Sequence, residues 1–239
     1  ILHMYVDGLW VKHDEHSSAN IQAVLDEITV RTGLPISLEG IYRFIAFLPS
    51  QLDKRVPVPN RYYGVFQDSS LKIRGIEARR HDTPPFIAQV QIDILRQLAE
   101  VTPEQLSETY LHAVVEMLRQ ALADLRNGKV ELAHLLVTQR VSRTTDAYKV
   151  SSPTARALKQ LESEGKQLKP GQYVRFLYTC GEPGVYAWNC STPPDPKSID
   201  IKKYGDLLLR AAGSVLQPLI DEAVLRNWVF DGTRQLPLI

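Results

Sequence analysis

Cysteine is scarce in this chain of 239 residues: Cys180 and Cys190 are the only two. Two thiols cannot supply a four-cysteine zinc site, and they are expected to be free thiols in a reducing compartment. Long apolar runs are missing as well. Runs such as Ile45 to Leu48 and Leu207 to Leu209 fall far short of the roughly 20 residues that a membrane-spanning helix requires. No glycine-rich phosphate loop, His-Glu-x-x-His or Gly-x-Ser-x-Gly is present, so P-loop and common hydrolase chemistries have no motif to rest on. Repeats and low-complexity segments are absent too. The opening residues, Ile1 to Asp7, carry neither an initiating Met nor a basic leader. They read as a buried strand entered in mid-stride, and the chain is expected to be a fragment.

What remains is ordinary for a globular protein: 44% hydrophobic, 23% charged and a formal net charge of +1. The charge is unevenly spread. From Pro84 to Arg126 the acids Asp93, Glu100, Glu104, Glu108, Glu116 and Asp124 outnumber Arg96, Arg119 and Arg126. From Gln139 to Phe176 the balance reverses, with Arg140, Arg143, Lys149, Arg156, Lys159, Lys166, Lys169 and Arg175 against Asp146, Glu162 and Glu164. A protein that grips a polyanion from one side shows this pattern, and so do two differently charged solvated faces.

Periodicity predicts an α+β chain. Ser17 and Ser18 offer an N-cap, Ile21, Val24, Leu25 and Ile28 fall at helical spacing, and Gly33 suits a C-terminal left-handed position, so a helix is predicted from about Ala19 to Thr32. Ile41 to Leu48, Tyr62 to Gln67 and Leu71 to Ala78 then read as strands of an antiparallel sheet, punctuated by Pro57, Pro59 and the Asp68-Ser69-Ser70 turn. Thr83-Pro84-Pro85 marks a break, giving one unit over 1–82 and a second over 83–239. The second is predicted to begin with helices at Pro85 to Val101 and Pro103 to Arg126, the latter capped by Thr102 with Gln105 following. Leu106, Tyr110, Val114, Leu118, Leu122 and Leu125 form its apolar stripe, which reads as core. A strand at His134 to Thr138, a helix from Ser152-Pro153 to Gly165, a hairpin from Tyr173 to Trp188 around Gly181-Glu-Pro-Gly184, and helices from Ile201 to Asn227 complete the pattern.

Asp7 lies in an apolar run, Met4 to Val11. A carboxylate buried there needs a partner or a metal, although Asp-Gly is equally a turn. His13-Asp-Glu-His16 has ligand chemistry, including for zinc, but precedes a helix cap and also reads as a solvated turn. Groupings of cations with aromatics are Asn60-Arg61-Tyr62-Tyr63, Arg74, Arg79-Arg80-His81, and Arg143 with Tyr148-Lys149. Arg and Lys supply phosphate contacts and Tyr can hydrogen-bond a phosphate or pack on a sugar, which suits recognition of a nucleic-acid backbone.

The order of these groups resembles family B DNA polymerases. Tyr5-Val6-Asp7-Gly8-Leu9-Trp10-Val11 resembles motif C, Tyr-Gly-Asp-Thr-Asp-Ser followed by an apolar strand. Asp7 matches the second aspartate, which leaves Tyr5 where the first would be; the other register would put Leu9 on the second aspartate and fits less well downstream. Pro59-Asn60-Arg61-Tyr62 resembles the Lys-Lys-Arg-Tyr motif without its lysines. Arg74-Gly75-Ile76-Glu77 and Arg80-His81-Asp82 resemble elements of the palm–thumb border, Arg-Gly-Leu-Glu and Arg-Arg-Asp. Val141-Ser142-Arg143, Tyr148-Lys149 and Pro153 resemble the thumb's Ile-Thr-Arg, Tyr-Lys and Gly-Pro-His, and Gly165, Lys169-Pro170-Gly171 and Val174 continue the series. The departures suggest a divergent branch.

The resemblance implies the end of a palm, an antiparallel sheet plus helix, over 1–82, followed by a mainly helical thumb with a small β subdomain over 83–239. It implies DNA contacts from Arg61, Tyr62, Arg74, Arg79, Arg80, Arg140, Arg143, Tyr148, Lys149 and Lys169. In the whole protein Asp7 would ligate two Mg²⁺ ions for nucleotidyl transfer to primer-template DNA from deoxynucleoside triphosphates. This chain alone would be catalytically incomplete, because the motif A aspartate and the basic fingers would lie upstream. The expected setting is cytoplasmic and nucleoid-associated, away from membranes. Gly232 to Ile239 resemble no clamp-binding peptide. Alternative readings are a non-catalytic DNA-binding or scaffold protein descended from a polymerase, and an enzyme using His13 and His16 as metal ligands.

Overall fold

The computed structural model describes residues 1–6, 8–12, 18–50, 53, 56–101 and 108–231, and the chain divides into two compact units, 1–74 and 75–239. In the first unit, β1 (His3–Tyr5) and β2 (Gly8–Trp10) form an antiparallel hairpin in which His3 lies opposite Trp10 and Met4 opposite Leu9. Residues opposite one another share a face of the ribbon. The His3–Trp10 face packs on aromatics, with ring centroids 4.6 Å from His3 to Phe47 and 5.4 Å from Trp10 to Tyr62. Its other face is open, leaving Met4 73% and Leu9 43% exposed. The expectation of a buried strand is therefore met on one face alone, because among the described residues the His3–Trp10 face is the one packed on aromatics.

The helix α1 (Ser18–Thr32) follows as its periodicity predicts and ends at Gly33, whose φ of 71° places it in the left-handed region. Ser17 lies outside the described residues, as do His13 and His16. β3 (Tyr42–Pro49), β4 (Pro57–Phe66) and β5 (Leu71–Arg74) pair antiparallel in that order. The turn between β4 and β5 is closed by Asp68, whose carboxylate accepts from Ser70 N and Oγ at 2.9 and 2.6 Å and is held below the usual carboxylate range by those bonds. Gly64 is required by packing: a Cβ there would come 2.6 Å from the Tyr42 ring, which stacks on Phe66 at 4.2 Å. Burial pushes the Tyr42 phenol up to about 12. The third strand stops at Arg74, short of the predicted Ala78, because Gly75 turns the chain at φ 61° and Glu77–Arg79 form a 3-10 turn.

The second unit has a helical side and a sheet side. α2 (Pro85–Glu100) begins with proline at its first position, where the absent N–H costs nothing. α3 (Glu108–Arg126) buries Tyr110, Val114, Leu118, Leu122 and Leu125, the predicted stripe; its predicted beginning, including Thr102, Gln105 and Leu106, lies outside the described residues. α5 (Ile201–Leu216) starts at Asp200, whose side chain accepts from Lys203 N at 2.9 Å. α6 (Glu222–Asp231) extends beyond the predicted Asn227. Its last carbonyls lack partners within the helix, and Arg119 supplies them, donating Nε to Val229 O at 3.2 Å and Nη2 to Trp228 O. Gly213 on α5 permits close approach of α6, since a Cβ there would lie 2.9 Å from Glu222 Cγ.

A buried glutamine joins three elements. Gln91 on α2 is 1% exposed; its Nε2 donates to Glu77 Oε2 at 2.8 Å and to Ala211 O at 2.7 Å, and its Oε1 accepts from Ala78 N at 2.7 Å. Ser214 completes the set by donating to Glu77 Oε2 at 2.6 Å. On the sheet side, β6 (Val137–Arg140), β7 (Tyr173–Tyr178) and β8 (Val185–Ala187) pair antiparallel. They pack on α4 (Pro153–Ser163), whose cap is the predicted Ser152, accepting from Ala155 N at 3.2 Å. Val137, Ala157, Leu158, Leu161, Val174, Phe176, Val185 and Ala187 form this core. The strand predicted at His134 to Thr138 is displaced. Leu132–Leu135 form a 3-10 turn and pairing begins at Val137, because the Leu135 carbonyl is taken by the buried Tyr204 hydroxyl at 2.8 Å. The same hydroxyl accepts from Tyr178 N at 3.0 Å, and burial raises its pKa. Beyond α4, Glu164 accepts from Ser191 N and Oγ at 2.8 and 2.9 Å and from Lys166 Nζ at 2.7 Å. Lys166 and Ser191 together pull its carboxyl down to about 2.

Two outcomes follow for stability. Gln91→Ala takes the side-chain acceptor from the Ala78 N–H and one donor from the Glu77 carboxylate, and should cost about 2–3 kcal/mol in a urea or thermal melt. Because Glu164 has a folded pKa below its ordinary 4.5, its clamp is fully present above about 4.5 and is lost as pH falls toward 2. Amide protection at Ser191 should fall across that window, and Glu164→Gln should show the low protection already at neutral pH.

Candidate nucleic-acid interface

The alternation of β6 and β7 sorts their side chains. In the register, Val137 lies opposite Phe176 and Gln139 opposite Val174, and this face carries the core. Thr138 lies opposite Arg175 and Arg140 opposite Tyr173. This second set turns to solvent, with Arg140, Tyr173 and Arg175 all exposed. The far end of the pair is closed by a turn that Gly171 makes at φ 96°. Gly171 N donates to Val141 O and Val141 N to Gln172 O, both at 2.8 Å, while the Gln172 side chain accepts from Lys169 N at 2.7 Å. Lys169 is thereby set beside the end of β6, exposed.

The chain after Val141 curls over itself. Thr145 is buried within a 3-10 turn, Thr145–Ala147, and the Tyr148 hydroxyl accepts from Ser142 N at 3.3 Å. The Arg143 guanidinium lies over the Tyr148 ring, 5.7 Å from its centroid, a contact that orients the cation without neutralising it. Lys149 follows, exposed.

Two open clefts meet at Arg140. One of about 470 Å³ is lined by Arg80, His81, Asp82, Thr138, Gln139, Arg140 and Tyr173. The other, of about 420 Å³, is lined by Arg140, Val141, Ser142, Pro170 and Gly171. In the first, Arg80 grips Asp82 with both ends of its guanidinium, Nε to Oδ1 at 2.9 Å and Nη2 to Oδ2 at 2.7 Å. That bond holds the Asp82 carboxyl below the usual range. Arg80 therefore carries a compensated charge. Among the described residues, Arg140, Arg143, Lys149, Lys169 and Arg175 form no ion pair with a carboxylate. An array of uncompensated, exposed cations with one aromatic among them attracts a polyanion.

Of the residues singled out in the sequence, the second unit places Arg80 and Arg140 on one cleft, Lys169 on the turn beside it, and Arg143 against Tyr148. Arg79 is exposed in the 3-10 turn before Arg80. The first unit holds the others. Arg61 is buried in the central strand and donates Nη1 to Pro49 O at 2.7 Å; Tyr62 is 3% exposed and packs against Trp10; Arg74 is exposed at the end of β5. Asp7 lies outside the described residues. Sequence reasoning passed over Thr138, Gln139 and Tyr173 as site residues and took Arg175 only as part of a basic segment. For Thr138, Tyr173 and Arg175 the signal was available in the period-2 alternation of Val137–Arg140 and Tyr173–Tyr178, whereas Gln139 falls on the inward set.

A family model described as DNA polymerase family B matches residues 58–217. DNA polymerase 1 of Saccharolobus solfataricus is 22% identical over 218 residues, covering 91% of this chain and 23% of its own length. The DNA polymerase catalytic subunit of Epstein-Barr virus is 27% identical over 227 residues, covering 81% and 22%. The solved family B DNA polymerase of the hyperthermophilic archaeon Pyrobaculum calidifontis superposes with a TM-score of 0.62 at 18% identity, over 85% of this chain and 25% of that one. It shares the mixture of helices and small antiparallel sheets. The chain thus spans about a quarter of the length of these relatives. With the family model matching more than half of it, the chain belongs to the DNA polymerase family B.

Proposed function

We propose that this chain is the C-terminal palm and thumb region of a DNA-directed DNA polymerase, with 1–82 ending the palm and 83–239 forming the thumb that grips primer-template duplex. The observation that carries the reading is the set of exposed cations at and after the end of β6 and on the turn before β7, Arg140, Arg143, Lys149 and Lys169, which form no ion pair with a carboxylate among the described residues. Cations presented on fixed backbone and turned to solvent neutralise phosphates without reading bases, so binding is independent of sequence and steeply dependent on salt. Family membership supports DNA and deoxynucleoside triphosphates as partners of the whole protein, and a cytoplasmic, nucleoid-associated setting is proposed with them. Among the described residues no helix is long and apolar enough to cross a membrane.

Nucleotidyl transfer in the whole protein would draw on two Mg²⁺ ions, which activate the primer hydroxyl and neutralise the leaving pyrophosphate. Among the described residues no group of three or more His, Cys, Asp or Glu side chains comes together. The described residues do not fit a two-metal site, and no catalytic step is assigned to them. The chain alone is proposed to be incomplete as a catalyst. A second reading, a non-catalytic DNA-binding or scaffold protein derived from a polymerase, is favoured by Tyr5, which stands in β1 where motif C would carry its first aspartate.

Fluorescence anisotropy with a labelled primer-template duplex tests the grip. Affinity should fall steeply as salt rises, and Arg143→Ala with Lys149→Ala should weaken binding about tenfold at low salt and reduce the salt slope by about two. Absence of duplex binding at low salt would overturn the reading.

A further inference from the structure

Tyr173 stands apart from the other tyrosines of residues 75–239. Tyr110 donates to Ile94 O, Tyr186 to Thr192 O and Tyr204 to Leu135 O. Tyr148 bonds Ser142 and lies under Arg143, and Tyr178 contacts the rings of Phe176 and Tyr204 and the ammonium of Lys203. The Tyr173 side chain has neither a hydrogen bond nor a ring or cation contact among the described residues, and the residue is 56% exposed. It is nonetheless firmly placed. Its neighbour Val174 is in the core, its own backbone pairs with Arg140, and the turn beside it is fixed by the Val141–Gln172 and Gly171–Val141 bonds. The cross-strand Arg140 and the next outward residue of β7, Arg175, flank it on the same face.

Resting on the proposed grip of DNA, we infer that this Arg140–Tyr173–Arg175 face binds unpaired DNA, with Tyr173 stacking on a base and the two arginines contacting the flanking phosphates. A ring held open between cations is the recurring arrangement for single strands, because every base offers a π-face once it leaves the helix. Duplex DNA keeps those faces stacked inside and would meet Tyr173 only with its sugars. The open 470 Å³ cleft on which Tyr173 and Arg140 lie gives a splayed nucleotide room that a buried pocket would deny.

The test measures anisotropy of the whole chain with two probes, a labelled 20-nucleotide oligothymidine and a blunt duplex of equal length, for wild type, Tyr173→Ala and Tyr173→Phe. Thermal melts check that the variants fold, which the exposure of Tyr173 favours. Tyr173→Ala should weaken oligothymidine binding about tenfold and duplex binding less than twofold, and Tyr173→Phe should restore the single-strand affinity to within about twofold. Equal losses on both probes, no loss on oligothymidine, or no oligothymidine binding by the wild type would overturn the inference. If the duplex binds while Tyr173→Ala leaves oligothymidine unchanged, this inference fails and the duplex grip stands. If the duplex does not bind while oligothymidine binding still depends on Tyr173, the duplex grip fails and this inference stands.

Discussion

The amide of Gln91 is the interaction on which the second unit turns. Buried amides are costly when unsatisfied and strongly orienting when satisfied, and this one reaches the backbone at Ala78 and Ala211 and the carboxylate of Glu77. It ties the irregular segment Ile76 to Arg80 to two helices at once. Hydrophobic contact alone would hold Ile76, which is fully buried, but would not fix which way the following turn faces. The polar bonds do that, and Arg79 and Arg80 emerge from the turn they fix. Tyr204 plays a comparable part on the sheet side, where one hydroxyl joins the carbonyl before β6 to an amide of β7.

The charges of the second unit fall into two kinds. Those that shape the fold are paired: Arg119 with Glu116 and with the end of α6, Arg226 with Asp206 and Glu222, Lys166 with Glu164. Exposed pairs of this sort add little stability individually, but each of these cations has at least one carboxylate against it. Arg140, Arg143, Lys149, Lys169 and Arg175, on β6, β7 and the turns between them, form no ion pair among the described residues. A net charge of +1 thus conceals a surface with a local excess of positive charge, and the cancellation occurs elsewhere on the chain.

Much of the architecture was legible because its signals are local. Ser152-Pro153 announces a helix start by chemistry that needs no tertiary context, and the stripe from Tyr110 to Leu125 records its buried face in its spacing. What was not legible depends on partners distant in sequence. Leu135 and Leu136 are both buried, so their run gives no hint that pairing starts only at Val137; the hydroxyl that claims the Leu135 carbonyl is on α5. Met4 and Leu9 look like core residues by composition, yet a two-stranded ribbon has two faces and the aromatics of β3 and β4 cover one. Arg61 carries the same formal charge as Arg140, but the first sits in a central strand and the second at the solvent face of an edge strand. The outward set of β6 and β7 was hidden differently, since Thr138 and Tyr173 carry no charge and fall outside a search for basic clusters.

Gly213 brings α6 so near α5 that any larger residue would strike the Glu222 side chain. Glu222 could yield only by swinging away from Arg226, which it meets at 3.1 Å and which also holds Asp206 on α5 at 3.1 Å. The crossing therefore behaves as a latch without slack. Gradual drift in sequence can reshape the solvent side of both helices, whereas a methyl added at this crossing requires the Glu222 side chain to shift, so a larger residue there is expected to arrive together with a change at position 222.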